Sequence, residues 1–221
     1  MTTDASLANS PTAVPQGGFH LGRFLRNAAI VVAVVGGGIG LWFGVLCERF
    51  VAKRFGEVTA SIHRSGQISE YMVGQVLEEH GIQRIVDLTE PEYAPPGKVK
   101  EREVATAKGI EVLNYPLVGD GTGDVDLYAK AVAALIEAEE RHEPTLVHCA
   151  AGSYRTSGVV ACFRILYQGW TREAALEEAK GYDWDPSKPE LPRFLDENLE
   201  KIRAKLLASG VLRAAAPAAP N

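Results

Sequence analysis

The chain has 221 residues, with 23 Lys and Arg against 28 Asp and Glu and a formal net charge of −5. That balance gives no general attraction to polyanions, so nucleic acid is not an expected partner. The three cysteines make no disulfide framework.

In chain order, residues 1–27 are expected to be disordered, because the first sixteen are rich in Ser, Thr, Ala and Pro. From Ala28 to Cys47 twenty residues carry no charged side chain, enough at about 1.5 Å each to cross a hydrocarbon core of roughly 30 Å. A single transmembrane helix is predicted over 28–47. The run exceeds the roughly 7 to 15 residues of a signal-peptide core, and no Ala-x-Ala pattern follows it. Gly36, Gly40 and Gly44 recur every fourth residue and would let two such helices approach closely as a homodimer, although glycine is common in membrane helices without that role. Arg23 and Arg26 precede the run, while Arg49, Lys53, Arg54 and Arg64 follow it. The positive-inside rule therefore places the remainder of the chain on the cytoplasmic side, beyond a juxtamembrane linker over 48–57.

Residues 58–207 make one domain of ordinary size for a single core. Strands are predicted near 60–63, 84–88, 111–116 and 145–148, and helices near 70–80, 98–108, 127–140, 155–167, 172–180 and 191–204. Gly109 is a good stop for the second helix and Thr171 a good cap for the fifth. The alternation implies an α/β domain with a central, mainly parallel sheet flanked by helices. A Gly-rich loop over 118–126 carries Asp120, Asp124 and Asp126. Asp126 is read as the N-cap of the helix that follows. An EF-hand starting at Asp120 is excluded, since Val125 and Ala131 stand where it needs Gly and Glu. Trp170, Tyr182 and Trp184 are read as packing residues, and the Ala/Pro tail over 208–221 as disordered.

The segment able to do chemistry runs from His148 through Cys149, Ala150, Ala151, Gly152, Ser153, Tyr154, Arg155 and Thr156. A cysteine at a strand end, a loop turning on Gly152 and an arginine at a helix start make an anion cradle. Backbone N–H groups of such a loop and the positive helix end aim at one spot. In that field the Cys149 thiol should ionise below its usual value of about 8.5. Arg155 can reach two oxygens of a bound phosphate as a planar fork. Tyr154 falls at the pocket rim, as a substrate contact or a cover for the loop. His20, His63, His80 and His142 have no ligand spacing with His148 or the cysteines, so neither metal nor cofactor is expected. Cys162 is read as a buried apolar residue.

His148, Cys149, Gly152, Arg155 and Thr156 resemble the signature of the cysteine-dependent phosphatases, His-Cys, five residues, then Arg and Ser or Thr. The resemblance covers roughly residues 57–206. Ile62-His63-Arg64-Ser65-Gly66-Gln67 and Gly81-Ile82-Gln83-Arg84-Ile85-Val86-Asp87-Leu88 look like the start of small bacterial or atypical dual-specificity phosphatase domains. Thr89 stands where that family usually has Arg. The resemblance implies a phosphocysteine mechanism in which the 150–154 loop binds phosphate, His148 supports the loop and Thr156 steadies the thiolate. It also implies an acid on the 118–126 loop, for which Asp120 fits best and Asp124 is the alternative. The loop carries no lysine to balance several phosphates, which favours a phosphoprotein substrate over a phospholipid or inositol phosphate. A module that binds phosphorylated partners without turnover is the remaining alternative.

Overall fold

A computed structural model describes residues 21–42 and 50–213. The chain divides into two compact units, residues 1–43 and 44–221. The first contains α1 (Leu21–Leu41), along which Ile30, Val31, Val34, Val35 and Ile39 are exposed. This helix starts early enough to include Arg23 and Arg26. Residues 43–49 lie outside the described residues, and with them Gly44 and the end of the predicted span. Among the described residues no helix is long and apolar enough to cross a membrane, so the transmembrane expectation for 28–47 finds no support here. Side chains added at Gly36 or Gly40 would meet nothing within 4 Å.

Among the described residues the second unit holds five strands, β1 (Gly56–Glu57), β2 (Ile62–Ser65), β3 (Arg84–Asp87), β4 (Glu111–Asn114) and β5 (Thr145–His148). Its helices are α2 (Val73–Glu79), α3 (Pro96–Lys108), α4 (Val125–Arg141), α5 (Arg155–Leu166), α6 (Arg172–Lys180) and α7 (Glu190–Ala208). The sheet order is β1-β2-β5-β3-β4. All neighbours are parallel except β1, which runs antiparallel to β2 and makes the sheet mixed.

Strand side chains alternate between faces, and here both faces are covered. Along β5, Leu146 joins Ile68, Val73, Leu77 and Ile85 under α2 and α3. Its neighbour Val147 joins Ile62, Val86, Leu135 and Phe163 under α4 and α5. Each such side chain, fully buried, contributes about 1.5–3 kcal/mol. β5 therefore runs through the middle of the core, and Cys149 follows at its carboxyl end, where open α/β sheets bind ligands.

The caps decide where the helices meet this frame. Thr171 accepts from the N–H of Ala174 at the start of α6, and Gly109 closes α3 in the left-handed conformation at φ 69°, both as the sequence suggests. Asp126 is not the cap of α4. Asp124 takes that place, accepting from the N–H groups of Asp126 and Leu127 at 2.8 and 3.1 Å, because the helix begins two residues earlier than predicted. Asp126 instead pairs with Lys205. The end of the domain also differs, since α7 continues to Ala208 and Val211 and Leu212 pack back onto the core. Residues 214–221 lie outside the described residues.

The register aligns the last residues of four strands, Ser65, His148, Asp87 and Asn114, along one edge of the sheet. A buried polar cluster fastens α3 to that edge. Lys98 donates to Asp87 and, at 2.8 Å, to the hydroxyl of Thr89. Asp87 also accepts from the Thr89 N–H and hydroxyl, at 3.0 and 2.7 Å, and from Asn114 at 2.9 Å. Thr89 is thus a fully buried strut of this turn. Removing one partner of such a pair strands a buried charge. Lys98→Met is expected to lower the unfolding free energy by about 3–5 kcal/mol in urea titration, and adding Asp87→Asn to recover part of the loss.

Candidate active site

The loop between β5 and α5 is shaped by what lies behind it. Gly152 has φ 83°, and a Cβ there would lie 2.5 Å from the N of Gly66 and 2.7 Å from the carbonyl carbon of Ser65. A Cβ on Gly66 would in turn lie 2.6 Å from the oxygen of Ala151. Only two glycines permit this approach. The loop carbonyls are then drawn outward one by one. Ala150 O accepts from the Gln67 N–H at 3.1 Å, Ala151 O from Arg54 at 2.8 Å, and Gly152 O from Arg64 at 3.0 Å. In a trans peptide the carbonyl and the next N–H point in opposite directions. The N–H groups of Ala151, Gly152 and Ser153 are accordingly turned inward, and that of Gly152 lies 3.1 Å from Cys149 Sγ.

Arg64 is fully buried under the loop, stacked 3.6 Å from the Tyr182 ring centroid and donating to Ser157 at 2.7 Å. Burial pulls its guanidinium down to about 10, so it stays charged at neutral pH beneath the sulfur. Tyr182 is a packing residue, as expected, and what it packs is this cation.

Burial alone would push the Cys149 thiol up. The Thr156 hydroxyl, the backbone N–H groups of Gly152 and Thr156, and the charge of Arg155 outweigh it and hold the thiol below its ordinary value. Thr156 Oγ1 is buried with no other well-aligned partner. Arg155 opens α5, where its Nη1 lies 3.3 Å from Leu88 O and 3.0 Å from the carboxylate of Glu90. Glu90 is exposed in the turn after β3, and sequence reading missed it. A signal was available, since residues just past β3 and β5 share one edge of a parallel sheet.

His148 is fully buried, with Nε2 at 3.2 Å from Glu101 Oε1. Glu101 accepts from Gln67 at 3.2 Å, and although burial pushes its carboxyl up, His148, Lys98 and Gln67 hold it below the usual range. A polar chain thus runs from α3 to the residue before Cys149.

The acidic loop is sorted by its hydrogen bonds. Asp124 is committed to its helix, whereas Asp120 caps only its own turn, accepting from the Thr122 N–H and hydroxyl at 2.9 and 2.7 Å. The loop abuts the rim of the cradle: a Cβ on Gly121 would lie 3.2 Å from Tyr154 O. Beside Ala150 a cavity of about 220 Å³ is lined by Gln67, Ser69, Glu70, Tyr93 and Pro95. A larger groove of about 360 Å³ between β4, α4 and α7 is lined by Asp126 but by none of Cys149, Arg155 and Asp120. Among the described residues no three His, Cys, Asp or Glu side chains converge as metal ligands.

A family model described as PTP-NADK, DSP-PTPase phosphatase fused to NAD+ kinase, matches residues 52–194. Dual specificity protein phosphatase TpbA of Pseudomonas aeruginosa is 39% identical over 69 residues, 31% of this chain and 31% of its own. Dual specificity protein phosphatase OPG106 of Vaccinia virus is 38% identical over 55 residues, 24% of this chain and 32% of its own. The chain therefore spans about a third of the length of these curated relatives. Among solved structures, the core catalytic domain of the PP-IP phosphatase SIW14 from S. cerevisiae has a TM-score of 0.60 at 20% identity, covering 73% of this chain and 95% of that one. P. aeruginosa TpbA has 0.56 at 22%, covering 70% and 91%, and PTPMT1 in complex with PI(5)P has 0.53 at 16%, covering 68% and 97%. At these identities the likeness is one of fold.

Because the charged form is favoured, the thiolate absorbance of the parent minus that of Cys149→Ser is expected to titrate below about 8.5, and Thr156→Val to move that midpoint upward. Cys162, pushed up to about 12 by burial, stays silent in this window. A midpoint unchanged by Thr156→Val would contradict the role of that hydroxyl.

Proposed function

The chain belongs to the DSP-PTPase phosphatase family, and on that premise we propose that it hydrolyses phosphomonoesters through a phosphocysteine, acting on phosphorylated Tyr or Ser/Thr of proteins. The observation that carries this reading is the Cys149 thiol, held low at the focus of inward N–H groups with Arg155 on the adjoining helix. Cys149 Sγ attacks phosphorus in line as the phosphorus–oxygen bond to the leaving group breaks. The loop N–H groups and Arg155 hold the equatorial oxygens. Asp120 gives its proton to the departing oxygen. Water then attacks the phosphocysteine, its proton passing to Asp120, and the phosphorus–sulfur bond breaks to release phosphate and thiolate.

Glu90 holds Arg155 Nη1 at 3.0 Å and so orients the fork. Its negative charge also weighs against a crowded polyanion. Ala150, Ala151, Ser153 and Tyr154 supply no cation to balance further phosphates, which supports a singly phosphorylated substrate over an inositol phosphate.

Attachment to a membrane through the uncharged run 28–47, with the domain on the cytoplasmic side, is part of the same proposal. Its support is the run itself and the exposed apolar side chains of α1. Self-association of that run through Gly36, Gly40 and Gly44 belongs with it.

The test is hydrolysis of p-nitrophenyl phosphate by the full chain. Cys149→Ser is expected to abolish turnover, and Arg155→Lys to reduce kcat/KM by about 10²–10³, because a point charge cannot replace the fork. Turnover surviving Cys149→Ser would end the mechanism. A folded parent that binds vanadate without turnover would support the binding module instead. In competition, phosphopeptides are expected to exceed phosphoinositide vesicles in kcat/KM. After an alkaline wash the full chain is expected in the membrane pellet and a chain starting at Phe50 in the supernatant.

A further inference from the structure

Tyr128 is a large polar side chain that the reaction as written leaves unused. It sits in the first turns of α4, fully buried, with its ring 4.6 Å from that of Phe194. Its hydroxyl donates to the carbonyl of Gly121, the residue next to Asp120. Space for that contact comes from a third element. Gly158 lies in the first turn of α5, where a Cβ would collide with the Tyr128 hydroxyl and come within 3.3 Å of Gly121 O. Gly121 itself has φ 92°, and a Cβ on it would lie 3.2 Å from Tyr154 O. The acidic loop, the helix behind it and the start of the catalytic helix thus meet at one phenol.

The rest of the loop is closed by short bonds. Val118 and Thr122 are joined at 2.9 Å, Gly121 N–H donates to Val118 O at 3.0 Å, and Asp124 anchors the far end as the α4 cap. These bonds fix the loop's internal shape. Among the described residues, the hydrogen bond from Tyr128 is the one that ties the turn carrying Asp120 down onto buried structure.

We propose that Tyr128 is the positioning residue for the proton donor: through Gly121 its phenol holds Asp120 over the phosphate loop, in the slot that Gly158 leaves open. The proposal rests on the phosphatase reading above and on Asp120 as its acid. Burial, with Cys162, Asp120 and Cys149 nearby, pushes the phenol well above its ordinary pKa, so it remains a donor throughout the working range.

The test uses the full chain and a pair of substrates that differ in how much they need an acid. The p-nitrophenolate of p-nitrophenyl phosphate departs readily unprotonated, whereas the phenolate of phenyl phosphate gains far more from protonation. Tyr128→Phe keeps the ring and its contact with Phe194 and removes only the hydroxyl. It is expected to raise the parent's ratio of kcat/KM for p-nitrophenyl over phenyl phosphate at least about tenfold, with vanadate inhibition unchanged. Asp120→Asn should raise the same ratio further, and the double variant should be no worse than Asp120→Asn alone, since both act through one carboxyl group. Gly158→Ala, which pushes the phenol off its acceptor, should repeat the Tyr128→Phe signature and guards against a folding defect in either variant. Equal losses on both substrates in both folded variants, or losses additive with Asp120→Asn, would overturn the positioning role. If Asp120→Asn itself leaves the ratio unchanged, the assignment of the acid fails and the proposal falls with it, while Cys149→Ser still reports separately on the phosphatase reading.

Discussion

A peptide group cannot face two ways, and the site depends on that constraint. Once Gln67, Arg54 and Arg64 draw the carbonyls of Ala150, Ala151 and Gly152 outward, the amides bonded to them face Cys149. Positive potential at the sulfur then follows from backbone geometry that is already fixed before substrate arrives, which is the form of electrostatic stabilisation that costs no reorganisation during reaction. The close approach of Gly66 and Gly152 makes the arrangement sterically possible, and the parallel pairing of β2 with β5 brings the two glycines together.

The same arrangement explains the density of buried charge around the sheet's carboxyl edge. Arg64, Lys98, Asp87, Glu101 and His148 are all essentially buried, a costly set unless each polar group finds a partner. Asp87, Thr89 and Lys98 stiffen the turn from which Leu88 O and Glu90 reach Arg155. Glu101 reaches His148 and, through Gln67, the segment that touches the loop. Two branches of one polar cluster therefore end on the two residue positions that define the cradle.

Local chemistry is what the sequence carries most legibly. The strand before Cys149, the helix from Arg155, the Gly109 stop and the Thr171 cap are each set by neighbours within a few residues, and they stand where the pattern puts them. Asp124 and Asp126 are chemically equal as caps. The choice between them is settled by how Tyr128, Ala131 and Leu135 enter the core, which is not a local matter. Glu90 beside Arg155 and Arg64 beneath Gly152 join residues 65 and 88 positions apart, and Lys98 meets Asp87 from a different element, so no local pattern announces them. Composition misled once more at the end of the domain. An Ala-rich tail reads as disordered on average, yet Val211 and Leu212 have the apolar area to dock. For the N-terminal run the apolar count was legible, but the described helix α1 alone does not make a crossing.

The most direct test of the account is chemical capture of the covalent intermediate. The full chain would be mixed with excess p-nitrophenyl phosphate, quenched in acid within the turnover time and mapped by peptide mass. The account predicts one added phosphoryl group, on the peptide containing Cys149 and on that sulfur, lost again when turnover is allowed to finish. Steady release of p-nitrophenol with no phosphorylated Cys149 at any time, or with the phosphoryl group on another residue, would contradict it.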